Sequence, residues 1–284
     1  MANVLASLKE AFLPRVDAPT DVRYGLIFKA SRDLKEAKGV GLFDKTSDQR
    51  YPLGSKLELG DRTFRYFKCG GTATIAGCLY ESAAHGGAYS TIEGAAVAAD
   101  TKAGGTTITI TLPNTHASDD VTANEFKDGY ITIAAATLTA DGKGQTFKIK
   151  SHPAAARNAS CVFTLYDKVP VEIDYSESCT ASVVKNTYDS VIISPAGAMT
   201  GKPVGVPLVV HTASYYGWIQ SKGPVGVLLD GDVTAGAPVV ADASVAGAVT
   251  TQVVNAGYLL SPTVGHAISD ADAGEFALID LCID

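Results

Sequence analysis

Hydrophobic and polar positions along this chain alternate in short bursts and do not recur every three or four residues. TTITITL, from Thr106 to Leu112, places Thr and Ile in strict period two, the pattern of a strand with one buried face. GYITIA (Gly129 to Ala134), QTFKIKSH (Gln145 to His152), CVFTLYD (Cys161 to Asp167) and CTASVV (Cys179 to Val184) repeat the theme. The pair Asp141-Gly142 supplies a turn that tolerates positive φ. These segments predict an antiparallel β module over residues 69–185.

The last hundred residues carry the same texture with more valine. VGVPLVVHTASYYGWIQSKGPVGVLLDGDVTAGAPVV, from Val204 to Val240, breaks into strand-sized apolar runs bounded by Gly, Pro and Asp-Gly. Their spacing is roughly the 8 to 12 residues expected of sandwiches and barrels. VIIS (Val191 to Ser194) opens this section, and FALIDLCI (Phe276 to Ile283) is apolar enough to predict a buried closing strand. Residues 186–284 therefore form a second, barrel-like β domain.

The front of the chain differs. Asn3 caps a predicted short helix with Val4, Leu5, Leu8, Ala11 and Phe12 on one face, and Pro14 stops it by disfavouring helical geometry in the residue before it. A helix of about ten residues is marginal alone and needs a partner surface, on its own body or on another chain. From Arg15 to Lys68 brief apolar runs such as YGLIF (Tyr24 to Phe28) are broken by Pro and Gly. Residues 1–68 accordingly read as an extended arm or subdomain with short strands. The expected fold is all-β: antiparallel sandwich or barrel modules with an N-terminal arm carrying a short helix.

Composition sharpens this picture. Of 284 residues, 46% are apolar and 19% charged, too hydrophobic for a disordered chain. The net charge of -7 argues against nucleic-acid binding, which needs clustered Lys and Arg. The charge is uneven: residues 1–68 hold 13 Lys/Arg and 9 Asp/Glu, a balance of +4, and the remaining 10 and 21 leave -11 on residues 69–284. A mildly basic front thus precedes an acidic β body, an asymmetry that suits docking on an acidic protein surface and equally describes a solvated arm. Cys69, Cys78, Cys161, Cys179 and Cys282 are odd in number, lack CxxC spacing and predict free thiols. No apolar run is long enough to span a bilayer, so no membrane partner is expected.

Catalytic vocabulary is thin. His85, His116, His152, His211 and His266 are isolated, without HxH or HExxH, and are expected in loops or on the surface. There is no GxxxxGK[ST] and no GxSxG. Carboxylate pairs for glycosidase chemistry would come from Asp119, Asp120, Glu125 and Asp128, or from Asp230 and Asp232, but these lie where loops and turns ordinarily place acids. Tyr215, Tyr216 and Trp218 offer a possible sugar platform; in an alternating strand, however, Tyr216 and Trp218 share one face, as core or subunit-interface aromatics would. Neither a catalytic set, a cofactor nor a metal site is expected.

The phrases GYITIAAATLTADGKGQTFKIKSHPAA, CVFTLYDKVPVEI and PVGVPLVVHTASYYGWIQSKGPVGVLLDGDVTAGAPVV, in that order, resemble virion structural proteins of tailed bacteriophages, in particular capsid cement, decoration and head-fibre proteins. The resemblance covers roughly residues 70–284 and carries no catalytic residues. It implies a protein made in the bacterial cytoplasm and placed on the outside of the virion head, where it clamps neighbouring copies of the major capsid protein, itself a homotrimer. Candidate capsid or subunit contacts are then Leu5, Leu8, Phe12, Arg15, Arg23 and Phe28. The alternative is a head-fibre or tail-associated adhesin that binds host glycans; fibre shafts usually repeat, and no repeat is visible.

Overall fold

The computed structural model describes residues 40–83, 91–113, 120–135, 143–174, 179–252 and 262–284, with the backbone of 28–29, 254–255 and 258–259. Among these residues there is no helix, and the chain is all-β with predominantly antiparallel pairing. The predicted helix over residues 3–13 and the Asp141-Gly142 turn lie outside the described residues.

In chain order the first strands are β1 (Phe28–Lys29), β2 (Lys56–Leu59), β3 (Arg62–Lys68) and β4 (Tyr80–Glu81). Next come β5 (Thr91–Ala96), β6 (Thr107–Thr111), β7 (Asp120–Val121), β8 (Tyr130–Ala135), β9 (Thr146–Ser151), β10 (Ala155–Ala156), β11 (Ser160–Leu165) and β12 (Thr180–Val184). The third group is β13 (Ile192–Ile193), β14 (Pro203–Gly205), β15 (Tyr216–Leu228), β16 (Pro238–Ala241), β17 (Val249–Thr251), β18 (Val254–Asn255), β19 (Tyr258–Leu259), β20 (Thr263–Ala267) and β21 (Phe276–Cys282).

Strands of the middle group form a six-stranded antiparallel sheet in the order β5-β12-β8-β9-β11-β6. A bridge between Val97 and Ile110, with Ala98 N donating to Thr109 O at 2.8 Å, joins its two ends and closes the sheet into a barrel. Closure leaves no long unpaired edge. Period-two alternation sends Ile108 and Ile110 of β6, Ile131 and Ile133 of β8, Phe147 and Ile149 of β9 and Phe163 of β11 inward, where they pack with Phe126 in one buried cluster.

The first and third groups share an eight-stranded sheet, β1-β2-β3-β15-β21-β20-β16-β17, and a small sheet, β13-β4-β14. Position 68 is the last residue of β3, and β3 pairs with β15 from Tyr216↔Lys68 to Lys222↔Thr63. The larger sheet curls into a half-barrel whose rim is bridged where Leu229 meets Val249. Residues 91–184 are therefore inserted in sequence within a body made from both ends of the described chain.

Strand β15 is long because it serves two neighbours. Its first half pairs with β3 and its second half with β21. The register shifts between Gln220 and Lys222, and the buried Gln220 amide spans the irregularity, with Nε2 within 3.1 Å of the Lys222, 3.0 Å of the Gly223 and 2.9 Å of the Pro224 carbonyl oxygens. Bulges of this kind re-aim a strand. Here the bulge lets one strand serve an aromatic core at one end, with Trp218, Tyr66, Phe64 and Tyr51, and an aliphatic core at the other, with Val225, Val227, Ile279 and Leu281.

One expectation needs correction. FALIDLCI is not buried throughout: Ala277, Ile279 and Leu281 point inward while Phe276, Leu278, Asp280 and Cys282 face out, because β21 keeps strict alternation and only one of its faces lies on the core. His152 and His211 lie in loops, as expected, but their rings are buried, His152 Nε2 accepting from Phe126 N and His211 Nδ1 lying 3.0 Å from Val209 O. None of the five cysteines is in a disulfide, and only Cys282 is exposed.

Candidate functional site

The sequence-predicted contact residues Leu5, Leu8, Phe12, Arg15 and Arg23 lie outside the described residues. Phe28 opens β1, whose backbone pairs in parallel with β2 through Phe28↔Leu57. Tyr216 and Trp218 both lie against Tyr66, with ring centroids 6.1 Å and 5.2 Å away. Trp218 is buried, and its indole Nε1 donates to Val40 O at 3.1 Å. Tyr216 is half-buried beneath Lys68, whose ammonium sits 5.9 Å from the ring centre.

The acidic candidates are dispersed into structural bonds. Asp119 lies outside the described residues, and Asp120 Oδ1 accepts from Arg157 N at 3.2 Å. Glu125 accepts from Thr122 N at 3.0 Å and pairs with Lys185 at 3.0 Å; burial raises its carboxyl, but these partners outweigh burial and hold it below the usual range. Asp232 accepts from Ala273 N at 3.0 Å, and partial desolvation together with the neighbouring Asp242 pushes Asp230 up. Among the described residues no three His, Cys, Asp or Glu side chains come together to hold a metal ion.

Asp128 is different. It sits in the tight turn before β8 with φ of 63°, fully buried. Its carboxylate accepts from Gln49 Nε2 at 2.5 Å, Leu53 N at 3.1 Å and the Tyr166 hydroxyl at 3.0 Å, while its backbone carbonyl accepts from Asn186 Nδ2 at 2.8 Å. Burial raises the Tyr166 hydroxyl, and the adjacent Asp128 raises it further. Lys148 is lowered by burial and by the Arg65 charge, with Asp128 opposing. Chemically this is a saturated acceptor: each oxygen already has its donors, so it is arranged to hold groups in place.

A surface feature stands out on the half-barrel. Across β15, β21 and β20, the outward positions Gly226, Leu278 and Ile268 form one row, with Leu278 opposite Gly226 and Ile268 N donating to Leu278 O at 2.8 Å. Phe276 stands in the next row opposite Leu228. Phe276 is 59% exposed and Ile268 and Leu278 are each 44% exposed, so the three form an apolar strip open to solvent. Exposed Asp270, Asp272, Glu275 and Asp280 flank it in sequence. The sequence signal for this face was the lone Asp280 inside an apolar run, which marks the solvent side of a period-two strand.

The chain matches no family model, no curated protein and no solved structure.

Proposed function

We propose that this protein is a non-enzymatic structural protein of a tailed-phage virion, a capsid cement or decoration protein that binds the outer head surface and bridges major capsid protein subunits. The observation that carries a protein-docking role is the outward strip of Ile268, Leu278 and Phe276 with its flanking acids. An exposed apolar strip on a sheet face, with acids flanking it in sequence, suits a partner surface that is apolar at its centre and carries Lys or Arg nearby. The phrase order over residues 70–284 supplies the phage context, and barrel modules with few free edges suit a particle coat. The N-terminal segment ahead of β2 acts as a second clamp, and a homotrimer multiplies the contacts so that modest affinity per site suffices.

The test uses heads assembled without this protein. The variant Phe276→Ser with Leu278→Ser and the deletion of residues 1–20 are each expected to lower head occupancy at least about tenfold, roughly 1.4 kcal/mol per subunit. Occupancy equal to the parent for the strip variant contradicts docking through that face, and for the deletion it contradicts the arm clamp.

A further inference from the structure

The inserted barrel and the body keep separate hydrophobic cores. One buried cluster lies wholly within residues 92–183, and the three others lie wholly outside that range. Among the described strands, none of the barrel's joins a body sheet. Among the described residues, the hydrogen bonds that tie the two units together all converge on one turn. Gln49 Nε2 and Leu53 N of the body reach the Asp128 carboxylate, and Asn186, in the link after β12, uses Nδ2 to hold Asp128 O at 2.8 Å and Leu53 O at 3.3 Å.

We infer that Asp128 is the clasp of a hinge: a fully buried carboxyl group in a polar joint fixes the orientation of the inserted barrel on the body, and its loss frees the barrel to swing. Three physical points support this. Units joined without a large apolar interface move relative to one another by default. A buried carboxyl group adds little net stability but strongly penalises any arrangement that leaves it unpaired, so it selects one orientation. Its geometry is also built in advance, since the positive φ of Asp128 and the Asp128 N to Ile149 O bond at 2.9 Å fix the turn from inside the barrel before the body engages it. Tyr166, also inside the barrel, holds the second oxygen, so the carboxyl stays aimed at the body. The device goes beyond the docking role: it sets the angle between two units that would meet different parts of a curved partner surface.

The experiment measures an inter-unit distance distribution by pulsed electron spin resonance in the full chain. Spin labels go on Cys282, the exposed thiol of the body, and on Val162→Cys, an exposed position of the barrel; the other four thiols are buried. The parent should give one narrow distribution. Asp128→Ala should broaden it about twofold or more, as expected for units without an apolar interface. If Asp128→Ala does not fold, Gln49→Ala with Asn186→Ala, which spares the carboxyl and removes the two side chains that tie its turn to the body, decides in its place. A distribution as narrow as the parent in a folded variant overturns the clasp, as does a broad distribution in the parent.

Discussion

The inserted barrel and the body that carries it are both antiparallel β structures, yet they are stabilised differently. The barrel closes on itself and fills its interior with one aliphatic and phenylalanine core, built from strands that all pair with one another within residues 91–184. The body joins β3 to β15 across some 150 residues, from Lys68 to Tyr216, and divides its interior among three clusters. It also buries more polar groups, among them Glu81, His211, Gln220 and Ser221, against Thr101, Asp128 and His152 in the barrel. Glu81 Oε1 takes three donors, from Thr200 N, Thr200 Oγ1 and Gly201 N, while Oε2 has none. A closed sheet with a single core draws most of its stability from apolar alternation. A body assembled from distant segments needs specific polar bonds to fix its joins, and each is a point of vulnerability.

Perturbations of the body should therefore be large and should spare the barrel. The largest is expected from Trp218→Ala, which empties the aromatic core and strands Val40 O; a loss of about 3 to 5 kcal/mol should appear in the denaturant midpoint of the body. Hydrogen exchange that shows β6, β8, β9 and β11 losing protection to the same degree would erase the distinction.

Acid comes next. His211 is neutral in the fold because burial lowers it to about 4, with the Val209 carbonyl opposing and Lys45 assisting the shift. The unfolded ring titrates near 6.5, so the unfolded state binds the extra proton first as pH drops. The stabilising contribution is complete above about 6.5, declines between 6.5 and 4, and is exhausted below, amounting to about 3 kcal/mol in all. Urea midpoints of the body measured from pH 7 to pH 4 should follow that slope. A flat profile for the body would remove His211 from the account.

Gly217 sharpens the comparison on a smaller scale. A Cβ there would overlap His211 Nε2, inside a packed interior, so Gly217→Ala should cost about 1 to 3 kcal/mol by overpacking. Thermal melts showing no loss would mean that the ring has room to move.

The smallest effect belongs to the Arg65–Asp284 pair. Its geometry is good, with Arg65 Nε donating to Oδ2 at 2.7 Å, and burial, which raises Asp284, is outweighed by Arg65 and Ser221 so that the carboxyl is held low. Both side chains still reach solvent, and Asp284→Ala should cost at most about 1 kcal/mol, measured by chemical denaturation. A loss several times larger would mark this pair as a principal fastening of the body.

The same contrast explains what the sequence disclosed. In the barrel, TTITITL, GYITIA and QTFKIKSH match β6, β8 and β9 to within two residues at each end, because a half-buried strand writes its burial directly as alternation. In the body, RTFRYFK over β3 reads as part of an irregular arm, since its partner strand lies far along the chain and its burial pattern is interrupted rather than alternating. The clasp was visible only as one acid among four in a loop. Nothing local distinguishes Asp128 from Asp120, because the groups that give it its role, Gln49, Leu53 and Asn186, are remote in sequence. In β21 the one polar residue, Asp280, was the local sign that Leu278 faces out and Ile279 in, although the run reads as apolar overall.

The account rests on two units with independent cores, and the most direct measurement is the folding of residues 91–185 expressed alone. The isolated barrel should give a dispersed amide spectrum and a single cooperative melt, because its sheet is closed and its core borrows no residue from the body. A collapsed or unfolded fragment would contradict this, showing that the barrel depends on the body for more than its orientation.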